Sequence, residues 1–133
     1  MEKRDNKIVY AYRSFEVPAG VVRSCPQGGT ARIAFRIDRP AKDYVGNEYG
    51  CVYKYVVTFA FCSPLDNFSR RGARSLTSTR AFLAMDSNDI HAREFAYIIT
   101  SPEKLRIQEI VDYTIENMAL GNVKAPNWLK AVL

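Results

Sequence analysis

Between Asn67 and Met85 the only charged residues are four arginines, Arg70, Arg71, Arg74 and Arg80. They follow Ser63-Pro64-Leu65-Asp66, which has the chemistry of a helix start. A serine oxygen can accept an orphan backbone N–H, proline fits the first helical position, and a carboxylate suits the positive helix end. The spacing predicts a helix from about Asp66 to Met85 with guanidinium groups crowded at its beginning. Such a place suits a phosphate or another anion. Arg70 and Arg74, four apart, could grip one phosphate together and would repel each other without it.

The residues placed at this site are Asp66, Asn67, Phe68, Arg70, Arg71, Arg74 and Phe82. Phe68 and Phe82 lie on the arginine helix and offer a platform for a nucleobase, with Tyr10, Tyr12, Phe15, Tyr44 and Tyr49 as further aromatics near loops or arginines. Arg32 and Arg36 form a separate basic face. Arg80 lies further along and reads as structural or solvent-exposed.

Catalytic sets are missing from the pattern. His91 is the only histidine, so neither a two-histidine phosphodiesterase nor a zinc cluster can be assembled. Asp86, Asp89 and Glu94 read as helix-cap carboxylates rather than metal ligands. The glycines make no phosphate-loop signature. No catalytic residue, metal or cofactor is expected, and the chain reads as a binder rather than an enzyme.

Several elements must position the arginines. Lys7–Phe15 is β-branched and aromatic and reads as a first strand. Residues 16–29, with Pro18, Gly20, Pro26, Gly28 and Gly29, read as a loop. Ala31–Asp38 alternates, with Ala31, Ile33, Phe35 and Ile37 on one face and Arg32, Ala34, Arg36 and Asp38 turned outward. Residues 39–50 read as a turn-rich connection. Cys51–Cys62 is the strongest strand, apolar on both faces, and reads as central with the first two strands as antiparallel neighbours. In the arginine helix, Phe68, Leu76 and Leu83 are expected to be buried, with Gly72 and Thr79 in the same stripe. Residues 86–89 read as a break; 90–100 fit helix or strand, with helix preferred. Ser101-Pro102-Glu103 starts another helix, striped by Leu105, Ile110, Val111, Ile115 and Met118 and stopped by Gly121. Residues 125–133 read as a short amphipathic turn that must dock on its own domain or a neighbouring copy. The expectation is one α+β domain over residues 1–133, a small N-terminal antiparallel sheet of three or more strands followed by two to four helices.

At 133 residues the chain can bury a core without staples. It has no apolar run long enough for a transmembrane helix and no secretory leader pattern, so a cytoplasmic protein without a membrane partner is expected. Cys25, Cys51 and Cys62 form no CxxC pair and read as reduced. A net charge of +5 suits an acidic ligand without demanding nucleic acid.

The phrase Phe61-Cys-Ser-Pro-Leu-Asp-Asn-Phe-Ser-Arg-Arg-Gly-Ala-Arg74 resembles a pattern of small phage counter-defence proteins, in particular the first-described family of anti-Thoeris signal sponges. The resemblance covers about a seventh of the chain, through Arg80. It departs from the family at Ser75-Leu-Thr-Ser-Thr79, where a lysine-rich helix is expected. It implies a homo-oligomer, a dimer or hexamer, in the cytoplasm of an infected bacterium. Such a protein sequesters cyclic ADP-ribose isomers without cleaving them, and some relatives also hold cyclic oligonucleotides of the CBASS type. Three other readings stay open: a small basic nucleic-acid-binding phage protein, a phosphate-ester hydrolase depending on His91 or Asp86 and Asp89, and an interaction protein whose arginine helix meets an acidic partner.

Overall fold

The computed structural model describes residues 7–39, 53–86 and 95–133. Four strands, β1 (Lys7–Val17), β2 (Gly29–Arg39), β3 (Tyr53–Cys62) and β4 (Ala96–Ser101), form one antiparallel sheet in the order β1-β2-β3-β4. Helix α1 (Arg70–Asp86) lies between β3 and β4 in the chain, and α2 (Ile107–Ala119) and the short α3 (Asn127–Lys130) follow. The fold is α+β. Among the described residues no helix is long and apolar enough to cross a membrane.

Alternation along the strands gives the sheet two unlike faces. Ile33, Phe35 and Ile37 of β2 and Tyr55, Val57 and Phe59 of β3 form one of them. They are sealed by Ile110, Val111 and Met118 of α2 and by Trp128 and Leu129 of α3. Large side chains interlock there, Phe61 meeting Phe59 and Trp128 edge to face at 5.5 and 6.1 Å. The C-terminal apolar segment therefore docks on its own chain. Gly121, at φ 85°, takes the left-handed turn that ends α2. Gly28, at φ 69°, is forced: a Cβ there would collide with the backbone of Val17–Ala19.

Helix α1 covers the other face. Its buried stripe is Thr77 and Ala81, with Ala73 half-buried; of the expected Phe68, Leu76 and Leu83, Phe68 is half-buried just ahead of the helix, Leu76 is exposed, and the Leu83 side chain lies outside the described residues. Leu76 is 42% exposed. The reason lies across the interface: Ala34 and Ala60 project from the sheet, so small residues must face small residues for helix and strands to approach closely. Thr58, fully buried, donates its hydroxyl hydrogen to the Thr77 carbonyl at 3.3 Å. Arg32 and Arg36, expected to face outward, lie half-buried on this helix-covered side.

Three other expectations change. β1 pairs with β2 alone, so the neighbours of β3 are β2 and β4. Residues 96–101 form an edge strand, not a helix, because pairing with β3 satisfies their backbone along Tyr53–Thr58. Ser101 ends that strand rather than starting a helix, and α2 opens at Ile107, where the Arg106 N–H donates to Glu109 Oε1 at 2.9 Å. The readings for the 40–50 connection, the 87–89 break, Cys51, Tyr44, Tyr49, His91 and Glu94 fall outside the described residues.

Candidate functional site

The motif begins with a turn. The Asp66 N–H donates to the Ser63 carbonyl at 3.0 Å, and the Asp66 carboxylate accepts the Ser63 N–H and hydroxyl, each at 3.1 Å. Its charge is engaged locally and does not face the arginines through any ion pair. The helix itself starts four residues later than expected. Ser69 caps it, accepting the Gly72 N–H on Oγ at 3.1 Å. This places Arg70 and Arg71 as the first two helical residues, with no acidic residue in the first turn. Cations at the positive end of a helix oppose the macrodipole unless an anion joins them.

What holds the arginines is aromatic. The Arg70 guanidinium lies 4.9 Å from the Tyr12 ring centroid, and that of Arg74 lies 5.1 Å from the Tyr10 ring. Arg74 Nε also donates to the Tyr12 hydroxyl at 3.1 Å. Across the sheet Arg32 stands 5.1 Å from the Phe68 ring, and Phe68 meets Tyr12 edge to face at 5.8 Å. The Tyr10 hydroxyl and Ser78 Oγ, 3.1 Å apart, tie the ladder to the next turn of α1. Each such cation–ring contact contributes about 0.5–1 kcal/mol at an exposed site. That is enough to orient a guanidinium while leaving N–H donors unused. Among the described residues no carboxylate lies within ion-pair distance of Arg32, Arg70, Arg71 or Arg74.

Beside the ladder, between the end of β3 and the start of α1, a cleft of about 150 Å³ is lined by Ala34, Ala60, Cys62, Asn67, Phe68 and Gly72. It is large enough for a phosphate or another small group, and below the usual 300–1,000 Å³ of a pocket that encloses a whole ligand. Burial pushes the Cys62 thiol above its ordinary range, the nearby Asp66 charge adds to this, and Arg32 opposes it. Two larger cavities, of about 410 and 580 Å³, open on the far face beside α2 and hold none of the arginine-site residues.

Of the seven residues expected at the site, Asn67, Phe68, Arg70 and Arg74 converge on the ladder or its cleft. Asp66 stabilises the turn that leads into it. Arg71 is exposed at the same helix end. Phe82 stands apart: twelve residues beyond Arg70, about 18 Å along the axis, it is 69% exposed. The expected grouping omits Tyr10, Tyr12 and Arg32, whose i, i+2 alternation put them on one sheet face without showing that α1 would cover it. Arg36 drops out because Asp38, buried beside it, accepts two of its N–H groups at 3.0 Å. Arg80 is structural: Nη1 donates to the Phe59 carbonyl at 2.8 Å, the group lies 3.7 Å from the Phe95 centroid, and burial lowers its pKa.

Among the described residues no group of three or more His, Cys, Asp or Glu side chains could hold a metal ion. Compared with known family models, curated proteins and solved structures, the chain gives no match in any of the three.

Proposed function

We propose that this chain is a non-catalytic binding protein that captures a small phosphate-bearing, nucleotide-type ligand at the start of α1. One observation carries the reading: Arg32, Arg70 and Arg74 are aligned on aromatic rings at a positive helix end with no carboxylate partner among the described residues. A phosphate would take the free N–H donors while Asn67 and Phe68 border its neighbouring group. Holding the ligand in its ground state needs no acid, base or nucleophile. Cyclic ADP-ribose isomers and cyclic oligonucleotides, the ligands implied by the resemblance at Phe61–Arg74, combine phosphates with stacking bases and fit this chemistry. The chain then acts in the cytoplasm of an infected bacterium, withholding an immune signal.

The test is retention. Purified protein is mixed with cyclic ADP-ribose isomers and cyclic oligonucleotides, washed and heat-denatured, and the released material is identified. Intact ligand, lost in the Arg70→Ala/Arg74→Ala variant, supports the reading; a chemically changed product or no retention overturns it. The small, open cleft favours a second reading, a nucleic-acid backbone lying across the ladder. That reading requires binding to arbitrary DNA or RNA that weakens steeply with salt.

A further inference from the structure

The packed face of the sheet is closed unevenly along its strands. At the end marked by Ile33 and Phe61, Trp128 of α3 seals it. At the opposite end a cavity of about 410 Å³ lies between the strands and residues 104–107, the segment that leads into α2. Val9 and Ile37, paired across β1 and β2, form its floor with Tyr55, while Leu105 and Ile107 supply apolar walls. That volume falls in the range of pockets that enclose a whole small molecule. The Leu105 N–H donates to the Tyr55 hydroxyl at 3.0 Å, which pins the segment to the sheet and fixes the shape of the space.

Every polar side chain at this cavity is a donor: Arg39, Tyr55, Lys104 and Arg106. Tyr55 is 3% exposed, and its oxygen already accepts the Leu105 N–H. Its own hydroxyl hydrogen has no acceptor among the described residues. Buried donors of this kind are paired as a rule. Lys104 stands exposed at the rim and forms no ion pair among the described residues. Arg106 is engaged by Glu109 Oε1 at 3.2 Å, and Glu109 lines the neighbouring cavity rather than this one. Water satisfies the Tyr55 hydrogen but not the apolar walls beside it, whereas an acid with a hydrocarbon body satisfies both.

We propose that this cavity is a binding site for a small amphipathic carboxylate. Its head accepts the Tyr55 hydroxyl hydrogen and pairs with the Lys104 ammonium, and its body packs on Val9, Ile37, Leu105 and Ile107. The lining selects such an acid over a nucleotide. A single ammonium at the rim matches a single negative charge, and the apolar walls offer no partner to sugar hydroxyls or a base edge. The site lies across the sheet from the arginine ladder, shares no residue with it and does not depend on that reading.

Octanoate titrated into the full chain by isothermal calorimetry is the probe. The expected result is one-to-one binding with a dissociation constant below about 1 mM. Acetate, which lacks the body, and octanol, which lacks the charge, should bind at least about tenfold more weakly. Amide spectra should show the largest shifts at Leu105 and Ile107. Lys104→Glu, at an exposed position, should weaken octanoate about tenfold or more, while Lys130→Glu makes the same charge change on α3 and leaves it unaltered. Val9→Phe fills the cavity from its floor and should abolish binding; circular dichroism checks that the variants keep the fold. No binding of octanoate up to about 5 mM, equal affinity for octanol, or indifference to both Lys104→Glu and Val9→Phe overturns the proposal. Shifts centred on Arg70 and Arg74 overturn it as well, since they would place the acid on the ladder.

Discussion

The two faces of the sheet are built from one set of strands and solve different problems. On one, Ile33, Phe35, Ile37, Val57 and Phe59 are closed off from water by α2 and α3. On the other, Tyr10, Tyr12, Arg32 and Thr58 meet a helix whose contact stripe is alanine and threonine. The first face supplies stability through large apolar side chains. The second gives up much of that burial to bring guanidinium groups, rings and a helix start together. Alternation lets one strand serve both purposes, since neighbouring residues on β2 belong to opposite faces.

The sharpest way to break this comparison is to empty the packed face. Phe35→Ala should cost about 3–5 kcal/mol in urea denaturation. A loss under about 1 kcal/mol would place the core elsewhere. On the α1 face, Arg80→Ala should cost about 1–2 kcal/mol, because the Phe59 carbonyl loses its donor and Phe95 its cation. Gly72→Ala should raise stability by up to about 1 kcal/mol, as the added methyl makes only an ordinary contact with the Ser69 side chain and a better helix former replaces glycine. The Arg70→Ala/Arg74→Ala variant should change unfolding free energy by under about 1 kcal/mol net, since the two exposed ring contacts it loses are offset by removing two cations from the positive end of α1. A large loss would make these arginines structural, like Arg80. The smallest effect is kinetic. Cys62 should alkylate more slowly than an unfolded cysteine near pH 8, reaching its full rate only at higher pH, because its raised pKa keeps the thiol protonated. Removing the opposing cation in Arg32→Ala should slow it further, and removing the charge in Asp66→Asn should speed it.

Several of these features are legible in the chain itself. The alternation of Ala31–Asp38, the continuous apolar run of β3, the stripe of α2 and its stop at Gly121 each follow from local pattern, and each forms. The misread features depend on partners distant in sequence. Nothing within Phe95–Thr100 states that β3 offers a free edge, so its apolar run reads equally well as helix. The orientation of α1 depends on Ala34 and Ala60, which make room for Thr77 and Ala81 and leave Leu76 outside. Ser63 and Ser69 both have cap chemistry, and Asp66 decides between them by closing a turn on Ser63. The arginines stand out from their neighbours in the sequence, whereas the rings beneath them come from β1, some sixty residues away.

The order of elements has a consequence for synthesis. The three-stranded meander of residues 7–62 leaves the ribosome before any of α2, which starts at Ile107. At about 5–20 residues per second, the nascent chain carries Phe35 and Phe59 uncovered for roughly 2–9 s, and longer until Trp128 arrives. Over that interval a chaperone that shields apolar strands has its best opportunity to act on this protein.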